Sequence, residues 1–167
     1  MTVARAGVER LDELEPLWAA LQRHHADVAP EVMGAPARPV DEAWMHRRGA
    51  YLEWLTSGAA FAFVAEEGGR AVGYVFVRVA PGWAAWDTGE RIGVVETLAV
   101  LPEERGRGIG SRLLDSAEGH LGEIGVSFYE VSSVAGNEEA ISFYERRGLE
   151  RCRVSFAGRV SAPEEET

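Results

Sequence analysis

Residues 94–114, VVETLAVLPEERGRGIGSRLL, constrain most strongly what this chain can fold into. Val94, Val95, Leu98 and Val100 form a strand-like apolar run, and Pro102, which has no N–H to give a ladder, stops it. Arg105-Gly106-Arg107-Gly108-Ile109-Gly110 then makes a glycine-broken basic turn, after which Ser111, Leu113, Leu114 and Ala117 begin a helical pattern. Strand, glycine turn and helix aim several backbone N–H groups and a helix N-terminus at one point, a geometry suited to phosphate. The glycine register excludes two familiar versions of such a site. With Gly106 first and Gly108 second, the third position of a dinucleotide fingerprint falls on Ser111. No Lys-Ser or Lys-Thr follows the glycines, as a Walker loop would require.

The rest of the chain alternates helical and extended patterns around that stretch. Residues 2–8 read as a short first strand. Asp12 and Glu15 have the spacing of a capping box, and Leu14, Leu17, Trp18 and Leu21 place a first helix near 12–26. Three prolines and a glycine make 29–39 a loop. Asp41 is placed to cap a second helix carrying Trp44, Arg48, Tyr51 and Leu55, which Ser57-Gly58 ends. From Ala59 the period changes to two. Phe61, Phe63 and Ala65 lead to a turn at 66–70, and the return strand at 71–79 has Val72, Tyr74, Phe76 and Arg78 on one face. Beyond the central stretch, Leu113, Leu114, Ala117, Leu121 and Ile124 form an apolar stripe with Gly125 as its C′ residue. A strand over 126–131 follows, then a helix capped by Asn137 and stopped by Gly148. Residues 151–160 read as a last strand or hairpin arm. The order β-α-α-β-β-β-α-β-α-β is that of a mixed α/β domain over 1–160, with an acidic, disordered tail at 161–167.

A chain of 167 residues suffices for one domain with a full core. Its net charge is −10, with 27 acidic against 17 basic residues. That balance argues against nucleic acid as a partner and gives a weak preference for a cationic acceptor, beside the plainer reading of a solvated acidic surface. The N-terminal residues contain no long apolar run, so neither a signal nor a membrane anchor is expected, and the cytoplasm is the default location. One cysteine, Cys152, excludes an internal disulfide and a cysteine-rich zinc site; in a strand it would be buried and inert. His46 and His120 lack partner spacing for a metal, so none is expected. His24 and His25 end the first helix, where a cation complements the helix dipole. Trp83 and Trp86 lie in a loop before the central strand, where they could line a pocket, cover the sheet or meet a second copy.

Two segments together carry a resemblance. Leu98-Ala99-Val100-Leu101-Pro102 followed by Arg105-x-x-Gly108-x-Gly110 resembles the acyl-CoA signature of the GNAT superfamily of N-acetyltransferases. Asn137-x-x-Ala140-x-x-Phe143-Tyr144-Glu145-x-x-Gly148-Leu149 resembles the same family's second signature. The resemblance covers roughly residues 92–150 and implies a mostly antiparallel central sheet, helices on both faces and central strands that splay apart. It implies acetyl-CoA as acyl donor, with the backbone of Leu98, Ala99 and Val100 pairing with its pantetheine arm. Arg105, Gly106, Arg107, Gly108, Ile109, Gly110 and Ser111 would form its phosphate cradle, and Asn137 and Tyr144 would complete the site. An amide left unpaired by the splay would stabilise the reaction's oxyanion, an effect worth about 3–4 kcal/mol per donor.

Transfer to an amine also needs an acid for the departing thiolate and a base for the incoming ammonium. Tyr144 matches the family's tyrosine and is the candidate acid; Asn137 and Tyr144, seven residues apart, share one helical face. Glu96, an acid inside an apolar strand, is the preferred base, with Glu130 in the next strand or water as alternatives. The acceptor is a small amine or a protein amine, and the resemblance admits a homodimer. The rival reading is a regulatory module that holds acyl-CoA without turnover.

Overall fold

A computed structural model describes residues 1–32 and 34–160, so the expected acidic tail lies outside the described residues. β1 (Thr2–Ala6) leads through a 3-10 helix (Val8–Leu14) into α1 (Glu15–Val28). A minimal hairpin of β2 (Glu31–Val32) and β3 (Ala35–Pro36) precedes α2 (Val40–Thr56). Three long strands follow, β4 (Ala60–Glu67), β5 (Arg70–Pro81) and β6 (Arg91–Val100). The chain then forms α3 (Ile109–Glu123), β7 (Tyr129–Val131) and α4 (Glu138–Arg146). The main sheet has the order β1-β4-β5-β6-β7, antiparallel throughout except for the parallel pair of β6 with β7.

Each face of this sheet carries its own core. On one face, Leu11, Leu14, Leu17 and Trp18 from the first helical segments meet Trp44 and Tyr51 of α2 over Val64, Tyr74 and Phe76. The Tyr51 ring stacks on Phe76 at 3.7 Å and its hydroxyl hydrogen-bonds Thr97 and, at 3.3 Å, Tyr74. On the other face, Ile109, Leu113, Leu114, Ala117 and Leu121 of α3 cover Val75, Val77 and Val95. Close approach of α3 to the sheet depends on Gly73, where a Cβ would stand 2.9 Å from the Ala99 carbonyl oxygen and 3.2 Å from Leu113. The helix ends as its glycine requires. Gly125 takes φ +74°, its N–H donates to Gly122, and Val126 donates to Leu121, a complete Schellman closure.

Several expectations are corrected. Residues 151–160 form no strand and are exposed, Cys152 among them. Lacking a partner strand, this segment has no ladder to stabilise it, whatever its own alternation. The strand expected at 126–131 is reduced to Tyr129–Val131. The capping box does not form: a 3-10 helix runs into α1, Leu14 occupies the cap position, and Asp12 pairs with Arg48 at 2.9 Å. Pro39, not Asp41, is the cap of α2. Val72 sits with the α3 core rather than beside Tyr74, because the register slips between Ala65 and Glu66 and leaves Val72 as an extra residue. Such a bulge turns the following alternation over.

Two outcomes follow from this packing. Gly73→Ala overpacks the contact between α3 and the sheet against a backbone oxygen, and is expected to lower stability by about 1–3 kcal/mol in urea unfolding. Burial pushes the Tyr51 phenol up to about 12. The buried, protonated phenol therefore contributes stability in full below the ordinary tyrosine pKa of about 10, and that contribution is lost as pH rises toward its folded value. Urea midpoints measured across this window should fall in the wild type. In Tyr51→Phe the midpoint starts lower, for want of the Thr97 hydrogen bond, and declines less steeply.

Candidate active site

The site begins with an irregularity in β6. Its ladder with β5 runs Phe76↔Thr97 and then Val77↔Val95, so Glu96 is an extra residue without a partner. Before the bulge Val95 faces α3; after it Thr97 and Ala99 face α1 and α2. Glu96 lies on that same side, its carboxylate accepting from Arg78 Nε at 2.8 Å, with an Arg47 guanidinium nitrogen 3.6 Å away. Both arginines are held by aromatic rings, Arg78 over Trp54 at 5.2 Å and Arg47 over Tyr51 at 5.6 Å.

The bulge stands where β6 and β7 part. Their parallel pairing stops at Val95↔Val131. Past that point a gap opens, lined on one side by Glu96, Thr97 and Leu98 and on the other by Val131, Ser132 and Ser133. Leu21 and His25 of α1, the α4 cap Asn137, and Ala140 and Tyr144 of α4 also line it. Along β6 the N–H of Leu101 donates to Val72 of β5 at 3.0 Å. By strand alternation, Leu98 and Val100 then turn their N–H and C=O toward the open side, while Ala99 turns its own toward β5. Two of the three residues expected to offer backbone pairing thus face the gap.

The glycine turn lies just beyond. Gly106 and Gly108 have φ of +75° and +77°, the left-handed region that favours glycine. Gly108 caps α3, and the first intrahelical bond is from the Arg112 N–H to the Gly108 carbonyl. The N–H groups of Gly108, Ile109, Gly110 and Ser111 therefore have no intrahelical acceptor. The two basic residues of the turn are committed elsewhere. Arg107 pairs with Glu67 at 2.6 Å and with Glu104, while Arg105 reaches Glu139 at 3.3 Å and the Val100 carbonyl at 3.4 Å. Both brace the turn through carboxylates of other elements.

At the α4 end, Asn137 caps the helix by accepting from the Ala140 N–H at 3.3 Å and is tied to α1 through His24 at 3.2 Å. Tyr144 lies one face along the same helix. Burial pushes its phenol up to about 12, and among the described residues its hydroxyl has no hydrogen-bond partner. Glu96, Asn137 and Tyr144 are thus brought to one gap, whereas Glu130 is not. It stands beside Val94, outside the gap lining, with its carboxylate against Arg153. Trp83 and Trp86 also lie apart from the gap, packed edge to face at 5.8 Å with Arg153 over Trp83.

The structure adds residues that the sequence reading had assigned differently or passed over. His25 lines the gap, and burial, then the neighbouring His24, lowers its pKa. Burial thus works against the helix-end cation that the position of His25 at the end of α1 suggests. Its spacing from Leu21, which also lines the gap, is the only sequence signal that would have found it. Ser132 and Ser133 carried none. Among the described residues, no cluster of His, Cys, Asp or Glu is arranged to hold a metal, and no helix is long and apolar enough to cross a membrane.

Comparison with known proteins bears on this arrangement. Residues 18–149 match the acetyltransferase (GNAT) family. The chain is 33% identical over 84 residues to a mycothiol acetyltransferase of Propionibacterium freudenreichii subsp. shermanii, a match covering 50% of this chain and 25% of that one. It is 33% identical over 114 residues to an uncharacterized N-acetyltransferase of Archaeoglobus fulgidus, covering 66% and 76% of the two chains. The chain spans a quarter of the length of the mycothiol enzyme and about three quarters of the archaeal one. In fold it is similar to a GCN5-related N-acetyltransferase from Ralstonia eutropha JMP134, with a TM-score of 0.75 at 22% identity over 95% of this chain and 97% of that one.

Proposed function

The chain belongs to the acetyltransferase (GNAT) family, and on that footing we propose that it moves an acetyl group from acetyl-CoA to a primary amine by direct attack. The observation that carries this reading is the gap between β6 and β7, which gathers unpaired backbone groups, one carboxylate and one phenol between two helix termini. The residues present fit the donor. The open edge at Leu98 and at the Val100 N–H suits an amide-bearing arm, the Val100 carbonyl being met by Arg105 at 3.4 Å. The α3 amides of Gly108, Ile109, Gly110 and Ser111, with Gly106 permitting close approach, suit a pyrophosphate. Bound there, the donor supplies an activated thioester carbonyl.

The chain's own groups then have separable tasks. Tyr144, kept protonated by burial, donates its proton to the departing thiolate. Glu96 draws the ammonium into the gap, where the ammonium displaces Arg47, the more distant of the carboxylate's two guanidinium partners. The ammonium's proton passes to Glu96 or to the imidazole of His25, which lines the same gap and whose charged form burial disfavours. Arg105 and Arg107 hold the turn rather than the donor. Glu130, engaged by Arg153 outside the gap, has no part in this scheme.

One observation favours the rival reading of an acyl-CoA-binding module without turnover: the Glu96 carboxylate is already engaged by two guanidiniums, one of which an incoming amine must displace. Thiol release from acetyl-CoA in the presence of an amine panel separates the two; tight binding without release would establish the rival. For the transferase, Tyr144→Phe should lower kcat by about 10²–10⁴-fold with little change in acetyl-CoA affinity. Full turnover in that variant would remove Tyr144 from the chemistry. Glu96→Gln and His25→Gln should be compared by the pH dependence of kcat/KM. The substitution that abolishes the acidic limb identifies the base, and two unaltered profiles would exclude both residues.

A further inference from the structure

A second cavity, of about 370 Å³, lies between α1 and α2. Its walls carry Trp18, Gln22, Arg38, His46 and Arg47, and alanines complete the lining. Among the described residues no carboxylate lines it, although the chain as a whole carries a net charge of −10. Two guanidiniums, an imidazole and an amide thus converge on a space of small-molecule size in an acidic protein.

The cavity adjoins the gap between β6 and β7 through two elements. On α1, Trp18 and Gln22 face the cavity, while Leu21 and His25, on the neighbouring stripe of the same helix, face the gap. Arg47 lines the cavity, and its guanidinium stands 3.6 Å from Glu96, which lines the gap. A ligand seated against Arg47 is therefore one side chain away from the carboxylate proposed to receive an ammonium.

The charges in the cavity are available to a ligand. Arg38 is paired with Glu42 at 2.8 Å, but both side chains are exposed, and an exposed ion pair contributes only about 0.2–1 kcal/mol. Arg47 is Glu96's weaker partner, since Arg78 already donates to that carboxylate at 2.8 Å. Its guanidinium is prepositioned over the Tyr51 ring, which lowers the cost of ordering it on a ligand. Among the described residues His46 has no hydrogen-bond or ion-pair partner.

We propose that this cavity binds the acidic group of the acceptor, so that the substrate is a small primary amine bearing a carboxylate or phosphate. The acid sits among Arg38, His46 and Arg47, and the amine reaches past Arg47 to Glu96. This rests on the transferase reading for its amine end only. The preference for a cationic acceptor drawn from net charge is thereby replaced, because bulk charge acts over the whole surface whereas the cavity presents its own sign at contact distance.

The test uses calorimetric binding and turnover on the same amines: glycine, 4-aminobutyrate and 6-aminohexanoate, phosphoethanolamine, n-butylamine and spermidine. Binding is measured with coenzyme A present. The acid-bearing amines should bind at least roughly tenfold more tightly than n-butylamine or spermidine, the effect of one charge-assisted contact. The graded carboxylates report the span from acid to amine, and phosphoethanolamine against 4-aminobutyrate tells phosphate from carboxylate. Arg38→Gln combined with His46→Gln should reduce the acid preference roughly tenfold, and Arg38→Lys should restore part of it. Equal binding of n-butylamine, or an acid preference that survives the double substitution, overturns the proposal. Thiol release from acetyl-CoA separates the two readings. Acid-selective binding without release supports the cavity and defeats the transferase, whereas release without acid preference does the reverse.

Discussion

The single residue inserted at Glu96 of β6 governs most of what this fold presents. Had β6 continued its alternation unbroken, Thr97 would share the face of Val95 and meet α3, leaving the Tyr51 hydroxyl only its longer contact with Tyr74. The bulge instead turns the strand's second half over, so that Glu96 and Thr97 both face the two N-terminal helices. It also adds local twist where pairing with β7 has just ended, and the two strands part there. An unpaired strand edge inside a sheet leaves backbone polar groups in need of partners, and these groups make the gap a binding site rather than a packing defect.

The two cores hold the edges of that gap by different means. On the α3 face the buried contact is made by aliphatic side chains and Phe61, and Gly73 lets helix and sheet approach closely. On the other face the layer is aromatic and contains a buried Tyr74–Tyr51–Thr97 hydroxyl cluster. Satisfied polar groups in such a layer fix one arrangement, because any slip leaves a buried hydroxyl unpaired. Tyr51 carries this order outward: its ring supports Arg47, which stands beside Glu96. A core tyrosine is therefore two contacts from the bulge carboxylate.

What the sequence disclosed and what it concealed divide along physical lines. The turn and both ends of α3 were legible, since Gly108 and Gly125 sit at positive φ where a side chain would be strained. Asn137 was legible as a cap for a similarly local reason. The placement of Tyr144 at the same gap as Asn137 was legible from their helical spacing. The bulges were not legible. Nothing local marks Glu96 or Val72 as the extra residue, for each arises only when two strands settle their register. Residues 151–160 misled in the opposite sense, since alternation describes a strand's faces but cannot provide the neighbour that makes it a strand. Arg47, Arg78 and His25 became visible as parts of the site only when helix and sheet were docked.

The same distinction bears on charge. Net charge is a sum and says nothing about where its members stand, and most of this chain's arginines are spent on carboxylates of its own surface, such as Glu67 for Arg107 and Asp115 for Arg147. Those pairs cancel locally and leave the overall excess acidic. Around α1 and α2 the cancellation is incomplete: Arg78 satisfies Glu96 first, Arg38 is held only by an exposed glutamate, and His46 faces the cavity without an acid of its own. The cationic character of the cavity is thus a consequence of ion-pair geometry rather than composition. An approaching amino acid or amino phosphate would meet there, with opposite polarity at its two ends, the guanidinium of Arg47 and the carboxylate of Glu96.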